Sequence, residues 1–245
     1  MGFGFNQDNL GQGLSSSLPR VDINMQSVMR NVFIWMTLAL GLTAVVGWVV
    51  SSTEALWPIV YNPITMIVSF IAIIAMAIII PVGMKRRWLS PTMAIVLFFV
   101  FAGVMGMMLS SIFLVYTSTS IVSALVTTMA LFGTMVVFGL TTKMDLMKYS
   151  TYFMIGLIGL VVAMVINIFL QSSALEMLIS IIGVIIFTAL TAYDTQKIKR
   201  MAESYEVQSD SGLAIKVSVY GALELYLDFI NLFLFLLRLF GGSRD

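Results

Sequence analysis

The sequence predicts an all-α integral membrane protein, and three observations support that class. Hydrophobic residues make up 60% of the 245 residues and charged residues 10%, against about 45–50% and about 25% in soluble proteins. The polar residues are gathered between apolar runs, and each run approaches the roughly 20 residues that a helix needs to cross a bilayer. A chain of this length has room for six or seven such helices and little more. We therefore expect one compact domain within the lipid.

Seven apolar runs follow a polar N-terminal tail. The tail, residues 1–27, is rich in Gly, Ser and Asn and is predicted to be mobile. It lacks the basic segment and cleavage site of a signal peptide. Residues 28–241 are predicted to form the seven-helix membrane domain. The runs cover approximately residues 32–51, 63–84, 92–114, 119–140, 151–171, 174–194 and 213–240.

Basic residues alternate between the two sides of the predicted spans. Lys and Arg occur in the tail and after runs 2, 4 and 6, whereas the segments after runs 1, 3 and 5 contain neither. The positive-inside rule therefore predicts a cytoplasmic N-terminus. Arg238 and Arg244 at the far end of run 7 leave open whether that run crosses the membrane or folds back. The short tail and compact length favour a bacterial plasma membrane.

The composition also excludes several kinds of site. The chain contains no Cys and no His, so disulfides, zinc–thiolate sites and histidine chemistry are absent. Proton sensing must then use carboxylates, Tyr or Lys, and the carboxylates favour hard cations such as calcium. The net charge of +1, with no basic cluster larger than Lys85-Arg86-Arg87, argues against a nucleic acid partner. No cofactor is expected.

Run 7 carries a narrow polar seam in an otherwise apolar helix. At about 100° per residue, Tyr220, Glu224, Asp228 and Asn231 lie on one stripe. An ionised Asp at the bilayer centre costs about 2.5–3.5 kcal/mol, so intramembrane carboxylates usually face a partner or a watery cavity. We therefore expect Asp228 to point into the bundle.

Asp194, near the end of run 6, has two interpretations. It lies one turn before Lys197 and within two turns of Arg200, so it can pair with the basic cluster of its own helix. Alternatively, it faces Asp228 and Glu224 across the bundle. Counted from the basic residues at the membrane surface, Asp194 lies about 5 Å deep, Glu224 roughly 12 Å and Asp228 about 18 Å. Whether Asp194 meets Asp228 or Glu224 stays open.

A carboxyl pair between runs 6 and 7 would be a pH switch without histidine. Two carboxylates at low dielectric cannot easily both ionise, so we expect one to keep a proton. When protonated, the pair could latch by a hydrogen bond. When deprotonated, the acids would repel each other and offer oxygen ligands to a hard cation. Asp194 and Asp228 are thus candidate transient calcium ligands.

Three segments of the chain resemble the Bax inhibitor-1 family, also called the transmembrane Bax inhibitor motif family. They are FGLTTKMDL (138–146), FTALTAYDTQKI (187–198) and ALELYLDFINLFLFLLRLFG (222–241). The resemblance covers about residues 25 to 241. It implies a seven-transmembrane-helix bundle with helix 7 at the centre, and a bacterial member of the family.

The resemblance also implies a function and its residues. The function is a pH-sensitive calcium leak, opened and closed by an aspartate pair that matches Asp194 and Asp228. Glu224 falls where some relatives carry a second acid. A basic residue bridges to the pair in the closed state of such proteins. Arg86 and Arg87 are the nearest candidates for it, unless their cluster is an anchor on the positive side.

Two other functions compete with the leak. In an intramembrane aspartyl protease, a G-x-G-D motif contains the second aspartate, whereas Leu225-Tyr226-Leu227 precede Asp228 here. A serine protease with a histidine base is excluded by the composition. We therefore expect no enzymatic activity. The other alternative is a protein that modulates a membrane-bound AAA-type protease, which would then be a partner beside the lipid bilayer and calcium.

Overall fold

A computed structural model describes residues 24–85 and 88–241, and the regular elements in that part of the chain are all helical. The tail up to residue 23, Arg86 and Arg87 lie outside the described residues. The long helices are α1 (Met25–Ser52), α2 (Pro63–Lys85), α3 (Pro91–Leu109), α4 (Ser118–Thr141), α5 (Ser150–Leu170), α6 (Ser173–Ala202) and α7 (Ser211–Phe240). Short helical segments lie in the connections, at Glu54–Leu56, Trp57–Val60, Ser111–Val115, Leu146–Tyr149 and Tyr205–Ser209.

The helices begin where the sequence supplies capping groups. The first turn of a helix has free backbone N–H groups, which a Ser, Thr, Asn or Asp side chain can satisfy. The Asn24 side chain accepts from the N–H of Ser27, so α1 begins at Met25, within the predicted tail. Asp210 likewise caps α7 by accepting from the N–H groups of Gly212 and Leu213. Ser90, Thr117 and Ser172 cap α3, α4 and α6.

In the described part of the chain, six helical segments are long and apolar enough to cross a membrane. They are Met25–Ser52, Pro63–Gly83, Pro91–Val115, Ser118–Thr141, Leu146–Leu170 and Ser173–Ala202. Large apolar side chains on them face outward, as in Ile64, which is 72% exposed, and Phe169, which is 82% exposed. Such surfaces suit lipid rather than water. The chain is therefore an all-helical integral membrane protein, as the sequence predicts.

The helix α7 is the most enclosed of the long helices. Of its 30 residues, 16 are buried, whereas α5 buries Leu160 alone among its 21. α7 packs against α1, α2, α3, α4 and α6. Tyr220, Glu224 and Asp228 of this helix therefore face other helices rather than lipid.

An aromatic cluster holds α7 to its neighbours. Tyr226 is fully buried, and its ring meets Phe98 and Phe101 of α3 edge-on, with centroids 5.9 and 5.7 Å apart. Its hydroxyl lies 2.7 Å from Thr43 Oγ1 of α1, which is also within 2.9 Å of the carbonyl oxygen of Ala102. Edge-on contacts and a satisfied hydroxyl are favourable for a buried Tyr. The cluster fixes α1, α3 and α7 at one level.

Glycines permit close contact between helix backbones at several crossings. A Cβ on Gly139 of α4 would lie 2.5 Å from the carbonyl oxygen of Ala192 in α6, and one on Gly106 of α3 would lie 2.6 Å from that of Thr43 in α1. In lipid, helices associate through such close packing, since the apolar surroundings provide little hydrophobic drive between them. The α4–α6 crossing adjoins Asp194 along the chain, so it also positions that residue.

We predict that Gly139→Ala lowers the apparent stability by about 1–3 kcal/mol, because the added methyl group cannot fit against the backbone of α6. The measurement is the thermal unfolding midpoint in detergent. Gly133→Ala in the same helix is the matched control, since a Cβ there meets nothing within 4 Å and Ala favours helix by up to about 1 kcal/mol. Equal midpoints for the two variants would contradict the prediction.

Candidate functional site

Polar side chains of α6 and α7 meet where the two helices are joined. The connection, residues 203–210, is short, so the end of α6 lies beside the start of α7, and the helices pack closely. Although run 6 was expected to end near residue 194, α6 continues to Ala202. This extension brings Lys197 to the same level as Tyr220 and Glu224 of α7.

Lys197 bridges the two helices through its ammonium group. Its Nζ lies 2.6 Å from Glu224 Oε1 and 3.6 Å from Asp194 Oδ1, and all three side chains are largely shielded from solvent. The same Nζ lies 5.2 Å from the centre of the Tyr220 ring, where the face of an aromatic ring attracts a cation. One cation is therefore shared by acids of both helices.

The two carboxylate oxygens of Glu224 differ in their hydrogen bonding. Its Oε1 accepts from both the Tyr220 hydroxyl and Lys197 Nζ, whereas its Oε2 is buried without a hydrogen-bond partner in the described part of the chain. A buried acceptor with no donor loses its hydration without compensation. Glu224 thus retains one oxygen that could still accept a hydrogen bond or contact a cation.

Asp228 is the most deeply buried acid of the site. Its side chain is 4% exposed, and its carboxyl group lies close to the carboxyl group of Asp194. Its Oδ2 has no donor among the described residues. Two ionised carboxylates have no hydrogen to place between them, but a single shared proton would convert the contact into a hydrogen bond.

The structure brings Asp194 near both of its candidate partners. It approaches Asp228 directly, and it approaches Glu224 through Lys197. The interpretation of Asp194 as paired within its own helix is also met in part, by Lys197. Arg200 of the same cluster does not take part, because its guanidinium binds Asp145 at 2.6 Å.

In the described part of the chain, the other predicted participant, Asn231, makes no hydrogen bond to the acids. The Asn231 side-chain amide donates to the carbonyl oxygen of Leu227 at 2.8 Å, which is a hydrogen bond within α7. The basic cluster expected to supply a bridging residue, Arg86 and Arg87, lies outside the described residues. Lys197 is the basic residue that contacts the acids in the described part of the chain. The sequence places Lys197 in the YDTQKI segment, but it does not predict that the side chain contacts α7.

The acids do not form a preformed metal centre. Within residues 24–85 and 88–241, no group of three or more acidic side chains is arranged to hold a metal ion. The ammonium of Lys197 lies between Asp194 and Glu224.

The loop between α4 and α5 is clamped to the end of α6. Gln196 donates to the carbonyl oxygen of Met144 and accepts from the N–H of Leu146, both at 2.8 Å. One turn further along α6, Arg200 forms an ion pair of 2.6 Å with Asp145 of the same loop. Because Gln196 is two residues from Asp194, these bonds fix the rotation of α6 at the acidic pair. Sequence reasoning did not identify this role of Gln196.

Comparison with known proteins places this arrangement in a family. The profile described as "Inhibitor of apoptosis-promoting Bax1" matches residues 25–245. The "Inner membrane protein YbhL" of Escherichia coli K12 is 42% identical over 231 residues, which are 94% of this chain and 97% of that protein. An uncharacterized protein of Rickettsia prowazekii is 38% identical over 91% of this chain and 93% of its own length.

A third relative, from Caulobacter vibrioides, is 34% identical over 97% of this chain and the whole of its own length. The matches are thus full-length, and the profile includes α6, α7 and the acids that they bring together. The chain belongs to the Bax inhibitor-1 family of membrane proteins.

Proposed function

We propose that this protein is a pH-sensitive cation leak, with calcium as the ion, and that Asp194 and Asp228 form its gate. The observation that supports the proposal is the carboxyl group of Asp228, which is 4% exposed, lies beside Asp194 and has an Oδ2 without a donor among the described residues. Intramembrane acids that lack a permanent partner are typical of ion and proton pathways. The resemblance to the Bax inhibitor-1 family also implies a gate formed by the aspartates at these two positions, Asp194 and Asp228.

Protonation determines the state of the pair in this proposal. With one shared proton, Asp194 and Asp228 are joined by a hydrogen bond that holds α6 to α7, and the path is closed. As the pH rises, the proton leaves, the two carboxylates repel each other, and the helices separate at this level. The freed oxygens then suit a hard cation such as calcium. Flux therefore increases with pH.

Lys197 supports the closed state in the same proposal. Its ammonium holds Glu224 at 2.6 Å and lies 3.6 Å from Asp194, so it connects the two helices even when the carboxyl pair loses its proton. It also occupies the space in which a cation would contact these acids. Opening therefore requires both the loss of the shared proton and the displacement of Lys197.

The proposal includes an orientation for the chain. We take α7 as a seventh span in the centre of the bundle, supported by its burial and by its packing against five other helices. The distribution of Lys and Arg favours a cytoplasmic N-terminus. On that orientation, the acidic pair lies toward the cytoplasm. The E. coli relative, described as an inner membrane protein, favours the plasma membrane of a bacterium.

We predict that Asp194→Asn and Asp228→Asn each abolish the pH dependence of calcium flux into liposomes around neutral pH. The amide cannot lose a proton in this range, so the switch is fixed in one state. The measurement is dye-reported calcium uptake by the purified chain over a pH series. Glu203→Gln is the matched control, because this exposed acid follows the same helix and contacts neither member of the pair.

An unchanged flux and pH profile in both Asp variants would refute the gate. Cleavage of a membrane substrate that both variants lose would indicate an aspartyl protease instead. Co-purification of a membrane-bound AAA-type protease, unaffected by either substitution and without calcium flux, would support a modulator.

We predict that Lys197→Met raises flux at neutral pH by roughly tenfold, because a charge-assisted hydrogen bond contributes about 1.5–3 kcal/mol to the closed state. The measurement is the same uptake assay. Lys199→Met is the matched control, since the Lys199 ammonium donates to the carbonyl oxygen of Leu140 rather than to an acid. Lys197→Arg should keep flux low. An unaltered or lower flux in a well-folded Lys197→Met variant would contradict this role.

A further inference from the structure

A charged cleft lies at the end of α6 opposite Asp194. Two adjoining cavities of about 500 and 230 Å³ open between the end of α5, the start of α6 and the end of α7. Glu176 of α6 and Arg238 of α7 line both of them. The cavities therefore form one cleft, with an acid and a base on its walls, within the size range of small-molecule sites.

The two charges of the cleft have no ion-pair partner among the described residues. No ion pair of the described residues contains Glu176 or Arg238, although both line the same space. The Arg238 guanidinium lies 5.6 Å from the ring of Phe235, in its own helix. Both side chains are exposed. Opposite charges that line one cleft without contacting each other leave room for a ligand that carries both signs.

The cleft lies at the level of the lipid headgroups. Glu176 precedes Lys197, the basic residue from which the depth of Asp194 was counted, by 21 residues, which is about 32 Å of helix at about 1.5 Å per residue and close to the hydrocarbon thickness of roughly 30 Å. Below the charges, Met164, Ile168 and Ile179 give the cleft an apolar wall. That wall continues onto side chains directed outward, since Ile168 is 69% and Phe169 82% exposed.

We propose that this cleft binds phosphatidylethanolamine. The phosphate contacts the guanidinium of Arg238, the primary ammonium donates to the carboxylate of Glu176, and an acyl chain lies along Met164, Ile168 and Ile179. Guanidinium–phosphate and ammonium–carboxylate contacts are charge-assisted. Phosphatidylcholine offers the phosphate, but its quaternary ammonium has no N–H to donate. Phosphatidylglycerol has no ammonium group.

The test is lipid retention by the full chain in detergent micelles doped with equal amounts of the three lipids, read by native mass spectrometry. We expect phosphatidylethanolamine to be retained in preference to the other two. Glu176→Gln should keep binding but lower the preference over phosphatidylcholine by roughly tenfold, as expected for loss of one charge-assisted hydrogen bond. Arg238→Met should weaken retention of all three lipids by a similar factor, and Arg238→Lys should restore part of it.

Glu54→Gln is the matched control, because this exposed acid lies in the connection after α1 and does not line the cleft. Equal retention of the three lipids by the native chain would overturn the proposal, and so would an unchanged preference in Glu176→Gln. Displacement by phosphorylethanolamine at the same concentration as the lipid would show that the apolar wall contributes nothing, and would also overturn it. The readout does not use calcium flux, so it tests lipid binding in the cleft independently of the proposed gate.

Discussion

A carboxylate inside a bilayer has no bulk water to solvate it, and much of this structure compensates for that deficit at Asp194, Glu224 and Asp228. The ammonium of Lys197 and the hydroxyl of Tyr220 both contact one oxygen of Glu224. Asp194 lies between Lys197 and Asp228. Ionised groups at this depth are stable only beside such partners. Among the described residues, Glu224 Oε2 and Asp228 Oδ2 still lack donors, so the compensation is incomplete, which supports the proposed response to protons and cations.

The surrounding helices hold this cluster in register. On one side, Gln196 and Arg200 bind the loop after α4, and Gly139 lets α4 approach α6 closely. On the other side, Tyr226 ties α7 to α1 and α3 through rings and a hydroxyl. Contacts with neighbouring helices and the loop after α4 therefore hold both α6 and α7 in place. A change at the carboxyl groups would then alter the α6–α7 contact rather than be absorbed by loose packing.

Much of the fold could be predicted from the sequence. The membrane class and the approximate positions of the helices follow from hydropathy and length, because a span must be apolar over about 20 residues. Helix ends were harder: α1 begins at Met25 because Asn24 caps it. α6 continues to Ala202 because a helix does not have to end where its apolar run ends. The seam of Tyr220, Glu224 and Asp228 was also predictable, since spacing within one helix fixes which residues share a face.

By itself, the sequence determined that acids would lie within the membrane domain, on one stripe of α7 and near the end of α6. The tertiary structure alone decided their contacts. The spacing of Lys197 after Asp194 allows a pair within one helix, and the structure adds Glu224 from α7 to that pair. Arg200 lies within two turns of Asp194 in the same helix, yet it binds Asp145. The reason is physical: contacts between helices depend on their relative rotation and register, which packing sets and which no single helix encodes.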